Sequence, residues 1–213
     1  NQKIKEFTKE KYYMAHIKFD DMDAVTEHFQ KKEDADKVAA DCAERMCEVE
    51  KDDVKEKTVR PPKLYDLTTL QREANRMFGY TAQQTLDAVQ EMYEQKLVTY
   101  PRTDSQYLTD EMGESTETLI QMLLGKMPYA EGLGYQPDVS KVLNSKKVSD
   151  HHAIIPTMEV AKADISKLKE QNRKILYLIS ARVLTATADS YIYESHKCQI
   201  TCNYHTFYLT AKK

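Results

Sequence analysis

Features that would place a chain in a membrane or an export pathway are missing from this sequence. The 213 residues contain no apolar run that approaches the roughly 18 residues of a membrane-spanning helix. No signal peptide is visible, and residues 1–7 are polar and lack a starting methionine, which predicts an excised fragment. We therefore expect a cytoplasmic protein that has no membrane partner and that was cut from a longer chain.

A strong positive charge is also missing. The sequence has 31 lysines and arginines against 34 acidic residues, a formal charge of −3, and no extended basic tract. A negative net charge argues against strong nonspecific affinity for nucleic acid, because that affinity comes mainly from lysine and arginine side chains that neutralise backbone phosphates. Binding to DNA would need a local basic groove.

Paired cysteine spacing of the CxxC type is absent as well. The four cysteines are Cys42, Cys47, Cys198 and Cys202. Their spacing favours reduced structural thiols in a reducing compartment, with a zinc site as the alternative. The last two share strand parity with Ile200, so we expect one partly buried sheet face there.

Strand patterns occupy the first part of the chain. Residues 12–19 are aromatic and β-prone and predict a strand, which the acidic residues 20–23 should end. Asp21 and Asp23 form a D-x-D pattern that imitates a magnesium site, but acidic clusters of this kind favour a solvated turn. A helix is expected over residues 33–45, an exposed strand over 46–57, and a stiff link at Arg60-Pro61-Pro62.

The middle of the chain is helical in pattern. Thr68 and Gln71 fit a capping box for one helix that should stop at Gly79, and Thr81 and Gln84 fit a second box. Further helices are predicted over residues 109–124 and 164–190, with a loop over 125–140; two strands joined near Asn203 should follow over 191–210.

These elements predict an α+β fold of two parts. The strand-rich ends are too short to form separate sheets, so we expect them to pair with each other. The predicted layout is a helical, winged-helix-like domain (62–190) inserted into a discontinuous β domain (1–61 and 191–213).

Residues 97–105, Leu-Val-Thr-Tyr-Pro-Arg-Thr-Asp-Ser, are the most informative part of the sequence. Pro101 biases Tyr100 toward extended backbone. In an extended segment Tyr100, Arg102 and Asp104 share one face, with a hydroxyl, a guanidinium and a carboxylate in reach of one phosphate.

This pattern favours attack of a phenol on a phosphodiester. A phenol is a weak nucleophile at neutral pH, and a guanidinium both binds phosphate oxygens in a two-pronged geometry and stabilises charge in the transition state. By local chemistry alone an ordinary turn is the competing interpretation, with Tyr100 in a core and Arg102 paired to Asp104 at the surface.

A longer pattern favours the chemical interpretation. The block 62–105, ending in Glu-Gln-Lys-Leu-Val-Thr-Tyr-Pro-Arg-Thr-Asp-Ser, closely resembles the active-site block of type IA DNA topoisomerases. Residues 151–157, His-His-Ala-Ile-Ile-Pro-Thr, resemble the second signature of that family in its topoisomerase III-like form. The topoisomerase I branch more often has Met at the position of Pro101, and Glu and Arg at the positions of His152 and Ile155.

The resemblance implies a function and a set of roles. Tyr100 would form a 5′-phosphotyrosine bond with one DNA strand, Arg102 would bind the scissile phosphate, and Asp104 and His151 would organise the site, with Asp104 holding His151 or Arg102. Three further residues are expected to contact DNA: Thr103, Ser105 and His152. The family's Mg²⁺ site lies in a Toprim domain that this sequence lacks, so we expect no metal in the fragment itself.

Two other classes of protein remain to be separated from this one. The first is a noncatalytic winged-helix DNA-binding module with a coincidental tyrosine. The second is the tyrosine recombinase and type IB group, whose helix-borne tyrosine and dispersed cations the Tyr-Pro-Arg arrangement does not reproduce. For the favoured class we expect single-stranded DNA and the remaining domains of the same chain as partners, a monomer, and no activity of the fragment alone.

Overall fold

The computed structural model describes residues 10–132, 134 and 136–213. The polar residues 1–7 that predict a fragment, and two positions of the predicted 125–140 loop, lie outside this range. The described chain forms two compact units: a sheet unit, made of the residues up to Val59 together with Ile192–Lys213, and a helical unit, Arg60–Tyr191.

The described part of the sheet unit contains five strands and one helix. They are β1 (His16–Phe19), β2 (Met22–Val25), α1 (Lys32–Asp41), β3 (Glu48–Val59), β4 (Tyr191–Cys202) and β5 (His205–Lys212). The strand order is β1-β2-β5-β4-β3, so strands from both ends of the chain share one sheet, as the sequence predicted. The β2–β5 and β4–β5 pairs are antiparallel.

One predicted strand break in this unit is wrong. β1 and β2 form a tight hairpin in which Phe19 pairs with Met22, so only Asp20 and Asp21 make the turn. Asp20 has a φ of 46°, the left-handed conformation that such short loops demand. Asp23, expected in a turn, is a strand residue whose carboxylate lies 3.0 Å from Nδ1 of His16.

The second hairpin matches its prediction. β4 and β5 pair from Cys202 with His205 along to Ser195 with Lys212. The connecting residues Asn203 and Tyr204 both have positive φ, at 45° and 70°, which fits a two-residue turn between twisted strands.

The core of the sheet unit is small. The buried side chains lie on one face of the sheet and on α1: Ala15, Ala24, Val38, Cys42, Ile200, Cys202 and Phe207. All four cysteines are free thiols, and Cys42 donates to the carbonyl oxygen of Cys202 over 3.2 Å. Burial, together with the neighbouring Cys202 thiol, raises the pKa of Cys42 to about 12.

The helical unit begins with two capped helices, α2 (Leu67–Phe78) and α3 (Ala82–Glu94). The predicted box at Thr68 is wrong, because Asp66 is the N-cap and accepts from the Thr69 N–H at 2.6 Å. The other two predictions hold: Gly79 ends α2 in a left-handed conformation, and Thr81 and Gln84 form a complete capping box.

Two further helices, α4 (Gly113–Lys126) and α5 (Glu170–Ala186), complete the unit. The prediction for 164–190 starts six residues too early. Asp164 caps a separate 3₁₀ turn at Ile165–Lys167 through the Ser166 N–H, so the chain turns before the long helix begins.

The core of the helical unit is much larger than that of the sheet unit. Its fully buried side chains include Leu64, Leu70, Met92, Leu108, Ile120, Leu123, Ile154, Ile175 and Leu176. Within the described residues no helix is both long and apolar enough to cross a lipid bilayer.

Candidate active site

The two sequence motifs are joined by a ladder of hydrogen bonds. We call residues 97–107 the tyrosine segment and residues 151–157 the histidine segment. The Thr99 N–H donates to the Ile155 carbonyl at 3.0 Å, and the Thr157 N–H donates to the Leu97 carbonyl at 2.9 Å. The Ile155 N–H also reaches the Thr99 hydroxyl at 3.0 Å, so the two segments are held in fixed register.

The histidine segment is tied on its other side as well. The Ala153 N–H donates to the Tyr107 carbonyl at 2.9 Å, and the Ile154 N–H donates to the Tyr65 carbonyl at 2.8 Å. These bonds satisfy the backbone of a segment that has no helix or extended strand of its own. The motifs, some 50 residues apart in the chain, therefore form one surface.

Tyr100 lies half-buried where the two segments meet. Its ring is tilted against that of His151, with centroids 4.3 Å apart and planes at 44°. On the other side it makes an edge-to-face contact with Tyr93, at 5.4 Å and 77°. Aromatic contacts of this geometry contribute about 0.5–1.5 kcal/mol each and favour this orientation of the ring.

Tyr93 is a site residue that sequence reasoning missed. Its helical spacing from Val89 would assign it to the buried face of α3, yet it is 38% exposed and its ring packs on Tyr100. Its position in the last turn of α3, just before the tyrosine segment, is the only signal in the sequence that could have singled it out.

Side chains in the tyrosine segment alternate between solvent and core. Arg102 and Asp104 are exposed, whereas Pro101, Thr103 and Ser105 are buried. Arg102 and Asp104 share a cleft of about 490 Å³, whose lining also includes Asp66, Leu67, Thr68, Ser149, Asp150 and His151. In the part of the chain that the structure covers, no carboxylate lies within ion-pair distance of Arg102, so its guanidinium is available to an anion.

Thr103 and Ser105, expected to contact DNA, have internal partners here. The Thr103 hydroxyl donates to the His151 carbonyl at 2.8 Å, and the Ser105 hydroxyl lies 2.9 Å from the Lys147 carbonyl. Buried hydroxyls with backbone partners position the segment, because exposing them would leave those carbonyls unpaired.

The other expected site residues lie around the cleft. Asp104 accepts from the Ser149 hydroxyl at 3.4 Å, and among the described residues neither Arg102 nor His151 donates to it. His151 is exposed and faces Tyr100. His152 is half-buried, with Nδ1 2.9 Å from the Ala153 carbonyl, which orients its ring.

The first turn of α2 forms one wall of the cleft. The Leu67 N–H donates to the Thr103 carbonyl at 3.1 Å, so the tyrosine segment occupies one of the free donors at the helix start. The positive end of the helix dipole points toward the cleft, where the Asp66 carboxylate already caps it.

An arrangement of carboxylates and histidines for a metal ion does not occur among the described residues. The D-x-D pattern does not make one, since Asp23 is paired with His16. The resemblance assigns the magnesium site of the family to a Toprim domain and not to these side chains.

Comparison with known proteins now identifies the family. The sequence model of the family described as "DNA topoisomerase" matches residues 1–213, the whole chain. The chain belongs to this family. Its relatives place it in the type IA class, beside the proteins named DNA topoisomerase 3.

Two such relatives show the range of similarity. DNA topoisomerase 3 of Bacillus subtilis (strain 168) is 41% identical over 160 residues, covering 71% of this chain and 21% of the relative. That of Staphylococcus haemolyticus (strain JCSC1435) is 31% identical over 220 residues, covering 99% of this chain and 30% of the relative.

A solved structure agrees on the fold. Full-length topoisomerase I from Thermotoga maritima superposes with a TM-score of 0.70 at 23% identity, covering 99% of this chain and 35% of that one. The chain therefore spans between about a fifth and a third of the length of these proteins.

Behind the cleft of this topoisomerase segment, one arginine joins α5 to α2. The Arg182 guanidinium binds Glu73, the Tyr65 hydroxyl at 2.9 Å and the Lys63 carbonyl at 3.1 Å. Burial raises the pKa of Tyr65, so the phenol stays protonated and can donate to Glu73. Because the Tyr65 carbonyl also accepts a hydrogen bond from the Ile154 N–H, this cluster supports the histidine segment.

Proposed function

We propose that this chain carries the nucleophile of a type IA DNA topoisomerase, with Tyr100 as the attacking residue. The observation that supports this most directly is the meeting of the two motifs. The Tyr100 ring contacts those of Tyr93 and His151, and Arg102 is exposed on the same segment, where it is the cation that could bind a phosphate in a cleft also lined by Asp66, Asp104 and Asp150. The function of the whole enzyme is carried over from the family as part of the proposal.

The proposed reaction is a transesterification. The Tyr100 hydroxyl loses its proton and attacks the phosphorus, the bond from phosphorus to the 3′ oxygen breaks, and that oxygen takes up a proton. One DNA strand is then cut and linked through its 5′ phosphate to Tyr100. After another strand has passed, the 3′ hydroxyl attacks the phosphotyrosine and restores the phosphodiester, so the bond energy is kept and ATP is not required.

The neighbouring residues have distinct proposed tasks. Arg102 binds two oxygens of the scissile phosphate and stabilises the charge that develops there. His151 orients the Tyr100 ring and, when protonated, donates to a phosphate oxygen. Asp104, held by Ser149, helps to organise the site, while Thr103 and Ser105 keep the segment in place. His152 contacts the backbone beside the cleft.

The rest of the enzyme completes the proposal. We assign the Mg²⁺ site to a Toprim domain elsewhere in the longer protein. The proposed enzyme is monomeric and cytoplasmic, and its partners are single-stranded DNA and the remaining domains of the same chain. The pair α2–α3 followed by the tyrosine segment is proposed to be winged-helix-like, and the sheet unit to be the family's β arch.

Replacement of Tyr100 by Phe in the full-length protein tests this function. Without the hydroxyl no covalent protein–DNA adduct can form, whereas binding of an oligonucleotide should change little. Tyr204→Phe is a matched control, because Tyr204 is 97% exposed at the β4–β5 turn, outside the helical unit. Adducts on denaturing gels with the Tyr100 variant would contradict the proposal, and unchanged topological activity would favour the noncatalytic DNA-binding module.

The isolated chain offers a second test. Tyr100 and Arg102 alone lack the electrostatic stabilisation that the other domains would supply, so the chain incubated with single-stranded oligonucleotide and magnesium should yield no cleavage product. A reproducible break that depends on Tyr100 would show that the site is complete in this segment.

A further inference from the structure

A second cationic feature lies on the helical unit next to the proposed active site. Tyr107 follows Asp104 by three residues, and two exposed lysines converge on it. Nζ of Lys147 lies 4.7 Å from the ring centroid and 3.4 Å from the phenol oxygen, and Nζ of Lys63 lies 5.3 Å from the same centroid. We call these three residues the lysine pair site.

The two ammonium groups have no acidic partner among the described residues, and they differ from the other lysines without an ion pair in the helical unit, Lys96, Lys126 and Lys146, in sharing one aromatic ring. Five other lysines of this unit each form an ion pair with a carboxylate: Lys141, Lys162, Lys167, Lys169 and Lys174. Two like charges gathered on one ring repel each other, and an anion between them would relieve that repulsion. The excess positive charge is local, although the whole chain has a charge of −3.

The lysine pair site is held rigidly to both motifs. The Ser105 hydroxyl lies 3.2 Å from the Tyr107 carbonyl and 2.9 Å from the Lys147 carbonyl, so it links the backbones of two of the three residues. The Tyr107 carbonyl also accepts from Ala153 of the histidine segment. These bonds fix the backbone positions from which the Tyr107 and Lys147 side chains extend.

The electrostatics of Tyr107 agree with this picture. Burial raises the pKa of its phenol, but contacts with Lys147 and Lys63 outweigh that effect and the net shift is downward. A lowered pKa means that positive potential at the hydroxyl favours a negative charge there. The same potential acts on any phosphate that approaches the hydroxyl.

We propose that Lys63, Lys147 and Tyr107 bind a backbone phosphate of the same single DNA strand that is cut at Tyr100. This inference rests on the proposed function and adds a second anchoring point for the strand. Five residues separate Arg102 from Tyr107, which is at most about 17 Å of extended chain. A span within that limit leaves room for the bound phosphate to differ from the scissile one and to lie farther along the strand.

Salt dependence of binding tests the proposal in the full-length protein. The variants are made in a Tyr100→Phe background, where only noncovalent binding is measured. Lys63→Ala with Lys147→Ala should make binding of a single-stranded oligonucleotide about fivefold to tenfold weaker at 50 mM salt and reduce the log–log salt slope by about 0.7, the share of one phosphate on a single strand. Replacing both lysines by Arg should restore both quantities.

The matched control removes the same charge elsewhere. Lys162→Ala with Lys167→Ala deletes two exposed lysines of the helical unit that pair with Glu159 and Asp164. This variant should leave the salt slope unchanged. The proposal would be overturned if the two double variants had equal effects on binding. It would also be overturned if the variant without Lys63 and Lys147 kept both its melting temperature and the salt slope measured with both lysines present.

Oligonucleotides with one neutral methylphosphonate linkage locate the phosphate. With both lysines present, binding should weaken when the neutral linkage is placed at one particular position, which is not the scissile linkage. Without the lysines, the neutral linkage at that position should have no effect, as in a double-mutant cycle. An equal loss at every position would show that the lysines act only through net charge, and this would also overturn the proposal. The proposed function is tested separately, by measuring covalent Tyr100–DNA adducts when the lysine substitutions are made with Tyr100 intact and DNA is saturating. If adducts form while the salt slope of binding is unchanged, only the second phosphate site is refuted.

Discussion

The sheet unit and the helical unit differ in how much core they have and in what they expose. In the helical unit a large cluster of buried side chains lies under a cleft, and every residue of the proposed site belongs to this unit. The sheet unit has a small core, and all 12 residues of its edge strand β3 are exposed. Chemistry that depends on placing a ring and a guanidinium accurately needs a rigid support, and the large core of the helical unit supplies one.

The smaller core should be the more sensitive to loss of one side chain. Phe207 is fully buried and is the largest side chain in the core of the sheet unit. Phe207→Ala should lower the free energy of unfolding of the sheet unit by about 3–5 kcal/mol, because the small core leaves few side chains that could fill the cavity. Hydrogen exchange of amides in β4 and β5 measures the loss. Equal protection before and after the change would show that the sheet does not depend on this core.

The helical unit should show the opposite behaviour at Arg102, with activity lost and stability kept. Arg102→Lys retains the charge but loses the two-pronged donor, so DNA cleavage by the full-length protein should fall by about 100-fold. The melting temperature should not move, since the side chain is exposed. Arg76→Lys, at an exposed arginine on α2, is the control; a similar fall there would mean that Arg102 has no special role.

A smaller effect is expected at Tyr93, which orients Tyr100. Tyr93→Leu removes an edge-to-face contact that contributes about 0.5–1.5 kcal/mol, so cleavage should slow by about 2- to 13-fold without loss of DNA binding. Tyr129→Leu breaks the similar ring pair with Tyr177, which lies outside the cleft, and should change stability only. Unchanged cleavage in the Tyr93 variant would remove this residue from the site.

The smallest effect concerns pH and the sheet unit. The folded state keeps the Cys42 proton up to a pKa of about 12, whereas the unfolded thiol, with an ordinary value of 9.0, releases it earlier. Stability from this group is therefore complete below pH 9 and is lost as the pH rises toward 12. At pH 9.5 the loss should stay below about 1 kcal/mol. Denaturant unfolding at pH 7.5 and 9.5 measures it, and Cys42→Ala should remove this part of the dependence.

Local signals in the sequence predicted part of the fold well. Gly79 and the Thr81 capping box mark helix ends because their geometry involves only neighbouring residues. The turn at Asn203 is set in the same way by a few backbone angles. Strand β2 was missed, because its acidic start resembles a turn and it becomes a strand only by pairing with β1 and β5.

The candidate site shows the same division. The sequence placed Tyr100, Arg102, Asp104 and His151 in two motifs, and the exposed face shared by Arg102 and Asp104 follows from the alternation of an extended chain. That Thr103 faces the histidine segment could not be predicted, because its partner is the carbonyl of a residue 48 positions away.

By itself the sequence determined the two motifs, the family to which the chain belongs, and the local ends of several helices. Only the tertiary structure decided which residues meet. Three features depend on contacts made after the chain has folded: Asp66 instead of Thr68 as the cap of α2, the packing of Tyr93 on the ring of Tyr100, and the two unpaired lysines around Tyr107. The physical reason is that local backbone preferences act over a few residues, whereas packing and charge act between side chains that only the folded core brings together.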